Sequence, residues 1–169
     1  MIIGIVFELN PHKVYVQLEM FIKIRNMLLF LHSCTFFTNV CCIKCLQNWV
    51  YFNGKCYMYS EKTVTFEECY KKCNAFNAEM IAIKSSTDMN FVHNLLKKEK
   101  ANSGVWFGAL REHVEDKNFL WSDGTFTDSH YNNWGSGFPS GTHKDNFKCV
   151  IFAQSNGQWE DADCDKSHA

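Results

Sequence analysis

A chain of 169 residues is long enough to bury the core of one domain and short for two. Its 17 basic and 18 acidic side chains leave a formal net charge of -1 with no long run of one sign, which excludes the electrostatic footprint of a nucleic-acid binder. An aromatic content of 15% with only 2 prolines excludes a disordered chain, which lacks the apolar surface needed to offset ordering entropy.

Taken in chain order, Lys23 and Arg25 precede the apolar run Met27–Leu31, which continues through Phe36 and Phe37 to a polar exit near Thr38. Basic start, short apolar middle and polar exit are the order of a secretory signal. His32, Ser33 and Thr35 interrupt the run, which falls short of the ~20 residues a spanning helix needs, so no stable membrane span is expected. Residues 1–40 are therefore read as leader and signal peptide and set aside from the fold. Both Met1 and Met20 fit as the start. Nine cysteines are many for a compartment that keeps thiols reduced, and they too point to secretion. Zinc is the competing use: Cys42 and Cys45 have ligand spacing, and Cys69 and Cys73 lie one helical turn apart, but no second pair stands at finger or ribbon distance.

From Cys45 onward, Trp49–Phe52 and Tyr57–Tyr59 flank Asn53-Gly54, a dipeptide that tolerates positive φ at both turn positions, and this predicts a tight hairpin. Thr65-x-x-Glu68 is a capping box, behind which Phe66, Cys69, Tyr70, Cys73 and Phe76 follow helical spacing on one face. Asn77 suits the left-handed residue after the helix end, and Met80–Ile83 reads as a short buried strand or extended link. Ser85-x-x-Asp88 caps a second helix carrying Met89, Val92 and Leu96, with Phe91 and Leu95 beside them. Short strands follow at Val105–Leu110, Phe119–Trp121, Cys149–Phe152 and Gln158–Glu160, with turns at Ser122-Asp123-Gly124 and Ser155-Asn156-Gly157. Between Thr125 and Phe147 runs a long stretch without period, whose Tyr131, Trp134 and Phe138 argue for a packed loop. Two helices, then an antiparallel sheet and a large loop, make an α+β domain.

These residues resemble the C-type lectin-like domain over essentially all of 45–169. The motifs are Cys45 with Trp49 and Cys56-Tyr57 as the hairpin of the long form, Val105-Trp106-Phe107-Gly108-Ala109-Leu110 as the central strand, and Trp121-Ser122-Asp123-Gly124-Thr125. Asn133-Trp134, Cys149-Val150 and Trp159-x-Asp161-x-x-Cys164 complete the set in the family's order. The resemblance implies disulfides Cys45–Cys56 and Cys149–Cys164. It also implies a partner for Cys73 in a final strand that lies beyond Lys166-Ser167-His168-Ala169, so the domain lacks its last strand as given. Either the sequence continues, or Cys73 pairs with Cys41, Cys42 or Cys69, or one of these cysteines links a second chain. A disulfide-linked or non-covalent dimer stays open.

Sugar-binding members hold a calcium ion that coordinates two sugar hydroxyls, and calcium wants ~6 to 8 hard oxygen ligands. The resemblance places their loop motif at Phe138-Pro139-Ser140, where a phenyl ring replaces the carboxylate or amide before the proline. Phe147 stands where a Glu is expected two residues before Cys149, and Glu160-Asp161 replaces Asn-Asp after Trp159. Only Asp161 is a retained side-chain ligand, with Glu160 an additional oxygen. A site rebuilt from Asp145, Asn146, Glu160 and Asp161 is the alternative. The first expectation is a domain with no cofactor, binding an extracellular protein or other ligand through the loop face of Phe138, Pro139, Ser140, Phe147, Glu160 and Asp161. The second is a calcium-dependent glycan binder. Catalysis is the weakest reading: no nucleophile elbow, metalloprotease helix or phosphate loop is present. His93, His113, His130 and His143 read as surface or structural histidines. Glu160 and Asp161, adjacent on a strand, point to opposite faces and cannot flank one bond.

Overall fold

The computed structural model describes residues 5–9, 45–101, 104–113, 116, 118–129, 131–140 and 147–168. Strand β1 is Ile5–Leu9; β2 is Val50–Phe52 and β3 Lys55–Ser60. Asn53 and Gly54 between β2 and β3 take φ of 45° and 83°, the double positive turn that the dipeptide predicts. Helix α1, Phe66–Ala75, begins at Thr65, whose hydroxyl accepts from the Glu68 N–H while the Glu68 carboxylate accepts from the Thr65 N–H. Asn77 ends it at φ 52°, and the Ala78 N–H donates back to the Cys73 carbonyl at 3.0 Å. Strand β4, Glu79–Met80, passes into extended backbone in which Ile81 and Ile83 are buried. Helix α2, Ser86–Lys98, is capped by Ser85 and buries Met89, Val92, Leu95 and Leu96. Phe91 is half-buried and stacks on Phe52 with ring centroids 4.1 Å apart.

The remaining strands are β5 Val105–Leu110, β6 Leu120–Trp121, β7 Phe147–Ala153 and β8 Gln158–Asp163. The sheet runs β2-β3-β1-β5-β7-β8, with β4 paired to β1 and β6 to β5. Strand β8 extends three residues beyond the Gln158–Glu160 expected, because Asp161 and Ala162 continue the ladder with Val150 and Cys149. Alternation along β5 splits the core. Phe107 joins α2 in a cluster with Trp121, Phe152 and Trp159, while Trp106 joins α1 in a second with Cys69, Cys73, Met80 and Ile151. Full burial of each such apolar side chain is worth about 1.5–3 kcal/mol. Gly108 is required where β5 crosses β4: a Cβ there would stand 2.8 Å from the Met80 carbonyl oxygen.

The loop after Thr125 is packed, as its aromatics suggest. Tyr131 and Trp134 both meet Trp159 edge-on, at 5.8 and 5.7 Å between centroids, and Trp134 is half-buried rather than fully enclosed. The chain returns at its end to β3's neighbourhood, where Val64 and His168 exchange backbone hydrogen bonds of 2.9 and 3.0 Å. His168 sits edge-on to Trp106 at 4.8 Å.

Residues 1–40 are expected to be leader and signal peptide, and only 5–9 of them are described. Ile5–Leu9 lies within that range and forms a strand inside the sheet. Its Ile-Val-Phe-Glu-Leu run is rich in β-branched and aromatic residues, which suit a pleated surface. The basic and apolar segment from Lys23 to Phe37, and Cys34, Cys41 and Cys42, lie outside the described residues.

Candidate recognition loop and family

Two disulfides join the pairs that the resemblance implies, Cys45–Cys56 and Cys149–Cys164. Cys149–Cys164 ties the start of β7 to the residue after β8, so the loop-face positions Phe147 and Asp161 are held on adjacent strands. Cys69 and Cys73 are both unbridged and fully buried, one turn apart on α1. A hydrogen bond with Cys69, then burial, pushes the Cys73 thiol far above its ordinary value. Cys45 is disulfide-bonded, Cys42 lies outside the described residues, and no cluster of three metal-binding side chains exists among the described residues.

The structure brings Ser140, Phe147 and Asp161 together. The peptide bond from Phe138 to Pro139 is cis, and Ser140 follows with its N–H donating to Asp161 Oδ1 at 2.7 Å and its hydroxyl to Oδ2 at 2.9 Å. The same Oδ2 accepts from Arg111 Nη2 at 3.2 Å. Arg111 extends from the end of β5. Its Nε and Nη2 donate to the Phe147 carbonyl at 3.0 and 2.6 Å, its Nη1 donates to the Asp116 carbonyl at 3.0 Å, and its guanidinium lies 4.8 Å from the centre of the Phe119 ring. The Arg111 and Asp161 side chains are 3% and 0% exposed, so this is a buried ion pair rather than a surface one.

A guanidinium and two Ser140 donors thus take up both carboxylate oxygens of the one retained calcium ligand. A divalent cation would have to displace the three donors and sit beside a fixed positive charge, so the described residues do not fit calcium as arranged. Glu160 points to the other side of β8, where it accepts from Asn156 Nδ2 at 3.1 Å; it joins no shared oxygen cluster with Asp161. Phe138 and Phe147 are each half-buried. Pro139 lies beside them, half-buried too. Asp145, Asn146, His130 and His143 lie outside the described residues, and His93 and His113 are exposed.

Sequence reasoning did not find Arg111. The signal for it is slight: one basic residue directly after a six-residue apolar strand, where a charge must either reach solvent or find a partner. A second polar anchor holds the neighbouring turn. Lys84 pairs with Asp123 at 2.9 Å, hydrogen-bonds Thr125 Oγ1, and lies 5.9 Å from the centre of the Trp121 ring. Burial raises the Asp123 carboxyl, but hydrogen bonds from Lys84 and from the Thr125 N–H and hydroxyl outweigh it and hold the group at about 2.

Comparison with known proteins agrees with this framework. Residues 62–169 match the Lectin C-type domain. The human low affinity immunoglobulin epsilon Fc receptor is 29% identical over 125 residues, 74% of this chain and 36% of the receptor. Mouse lymphocyte antigen 75 is 30% identical over 72% of this chain and 7% of its own length, so the chain spans only a fraction of the relatives it matches. Among solved structures, the carbohydrate-recognition domain of cow CD23, crystallised in the presence of a GlcNAc2Man3 oligosaccharide, aligns with a TM-score of 0.62 and 27% identity. That alignment covers 73% of this chain and 89% of the CD23 chain. Human lithostathine aligns with a TM-score of 0.67 over 82% of this chain and 94% of its own, and at 22% identity it supports the fold alone. Members of this family are recognition modules and not enzymes. The chain belongs to the C-type lectin domain family.

Proposed function

We propose that this domain is an extracellular recognition module that binds its ligand, a protein or another surface, without calcium. The observation that carries the reading is the saturation of Asp161 by Ser140 and Arg111. In a calcium site the ion orders the loop and neutralises its carboxylates. Here the guanidinium supplies the charge, and hydrogen bonds to the Phe147 carbonyl and through Asp161 to Ser140 supply the cross-links. The loop face then offers Phe138, Pro139, Ser140 and Phe147, partly apolar and partly polar, a composition suited to a protein partner. The cysteine content supports a secreted protein, and no described helix is long and apolar enough to cross a membrane.

A second reading, calcium-dependent glycan binding, is favoured by the likeness to the CD23 domain crystallised with an oligosaccharide and would use Asp145, Asn146, Glu160 and Asp161. A glycan array and a panel of extracellular proteins, each probed with calcium and again with a chelator, separate the two. Ligand capture indifferent to the chelator is expected; capture abolished by it would establish the second reading instead.

A further inference from the structure

One face of the sheet is left partly open between α1 and the β5-β6 pair. Side chains alternate along β5, so Trp106, Gly108 and Leu110 share the face that α1 packs on. The helix covers that face at Trp106, where Phe66 meets the indole edge-on at 5.5 Å, and Gly108 then offers no side chain. A groove of about 590 Å³ follows, lined by Phe66 and Tyr70 of α1, Met80 of β4, and Leu110 and Leu120. Leu110 stands opposite Leu120, and Leu120 opposite Phe126; residues opposite one another on paired strands present their side chains on one face. The groove therefore continues into an apolar row. Tyr70, Leu110, Leu120 and Phe126 are 51%, 45%, 37% and 50% exposed, four of the seven large apolar side chains exposed among the described residues. Single exposed apolar residues are ordinary, whereas a contiguous group of them marks an interaction surface. Every residue of the groove and the row lies between Phe66 and Phe126.

Charge at the groove selects its occupant. The charged residues that line it are Glu67 and Glu79, both acidic. The nearby base, Lys71, is held by Glu67 at 2.7 Å in an exposed i,i+4 pair, a weak contact for which another cation can compete. A second copy of this chain docked by the same face about a two-fold axis would set these carboxylates against themselves. We propose that the groove is a docking site for a protein partner, and that it takes a segment carrying large aliphatic or aromatic side chains next to Lys or Arg. The apolar side chains fill the gap over Gly108 and cover Leu110, Leu120 and Phe126, while the bases face Glu67 and Glu79. This surface is separate from the loop face. Leu110 is exposed on the groove side, whereas the next residue, Arg111, is buried with its guanidinium on the Phe147 carbonyl and Asp161.

Panning a library of short random peptides against the full chain, followed by fluorescence titration of the enriched peptides, tests the proposal. Enriched peptides are expected to place Lys or Arg beside Leu, Ile, Phe or Trp, and their binding is expected to weaken as salt is raised. Their affinity is expected to fall about ten-fold or more in Leu120→Ser and in Tyr70→Ser, each of which removes an exposed apolar side chain from the surface. In Glu79→Gln a loss of about two- to five-fold is expected. Enrichment of no peptide, or of peptides that are acidic or lack a base, would overturn the proposal. So would an affinity unchanged in Leu120→Ser or in Tyr70→Ser, which places the peptides elsewhere. A concentration-dependent dimer of the full chain that Leu120→Ser abolishes would also overturn it, by giving the groove to a second copy. Should Leu120→Ser fail to fold, Tyr70→Ser on the exposed side of α1 decides alone.

Discussion

The Arg111 guanidinium and the Asp161 carboxylate meet at 3.2 Å between β5 and β8, with side chains 3% and 0% exposed. Removing one partner of a buried pair strands the other charge, whereas replacing both leaves an apolar gap. Arg111→Met is therefore expected to cost about 3–5 kcal/mol in denaturant unfolding, and Arg111→Met with Asp161→Leu less than the single change. A double variant as unstable as the sum of its parts would show that the two side chains act independently.

Gly108 leaves no room for a side chain against β4. Gly108→Ala forces a Cβ to within 2.8 Å of Met80 backbone atoms, and a loss of about 1–3 kcal/mol is expected from the overpacking. Thermal unfolding checks it, and an unchanged midpoint would mean that β4 moves aside without cost.

His168 introduces a pH dependence. Burial beside Trp106 lowers its pKa below the ordinary histidine value, and Asp163 offsets this in part. The unfolded chain then binds a proton that the folded one resists, so the contribution is present above the ordinary histidine pKa of about 6.5 and is lost as pH falls below it. Unfolding midpoints across that range are expected to decline on acidification, and His168→Gln is expected to flatten part of the slope. An equal slope in the variant would assign the effect to other groups.

Cys69 and Cys73 are buried thiols rather than reactive ones. Alkylation of the native protein at mildly alkaline pH, mapped by peptide mass, is expected to spare both, and both are expected to react once the chain is denatured. Rapid native labelling of Cys73 would contradict the packing of α1 against Trp106.

Much of the fold can be read locally. The Asn53-Gly54 turn, the capping box at Thr65 and the Ser85 cap each act through a few neighbouring residues, and each forms as expected. Three features depend on residues far apart in sequence and escape such reading. The Arg111–Asp161 pair spans 50 positions, and an arginine after a strand carries no mark of its eventual partner. Strand β1 is separated from its partners by the segment whose signal-like order draws attention away from it. The half-burial of Phe138 and Phe147 depends on how the loop closes over Asp161, which composition does not specify.

In the proposed mode of recognition no calcium takes part, and Arg111 has the role of the loop's cation. Calorimetric titration of calcium chloride into the intact protein tests it most directly. No saturable heat is expected up to about 1 mM, the weak end of affinity for extracellular calcium modules, and the unfolding midpoint is expected to be unmoved by calcium or chelator. Saturable binding at or below that concentration, with a calcium-dependent rise in the midpoint, would contradict it.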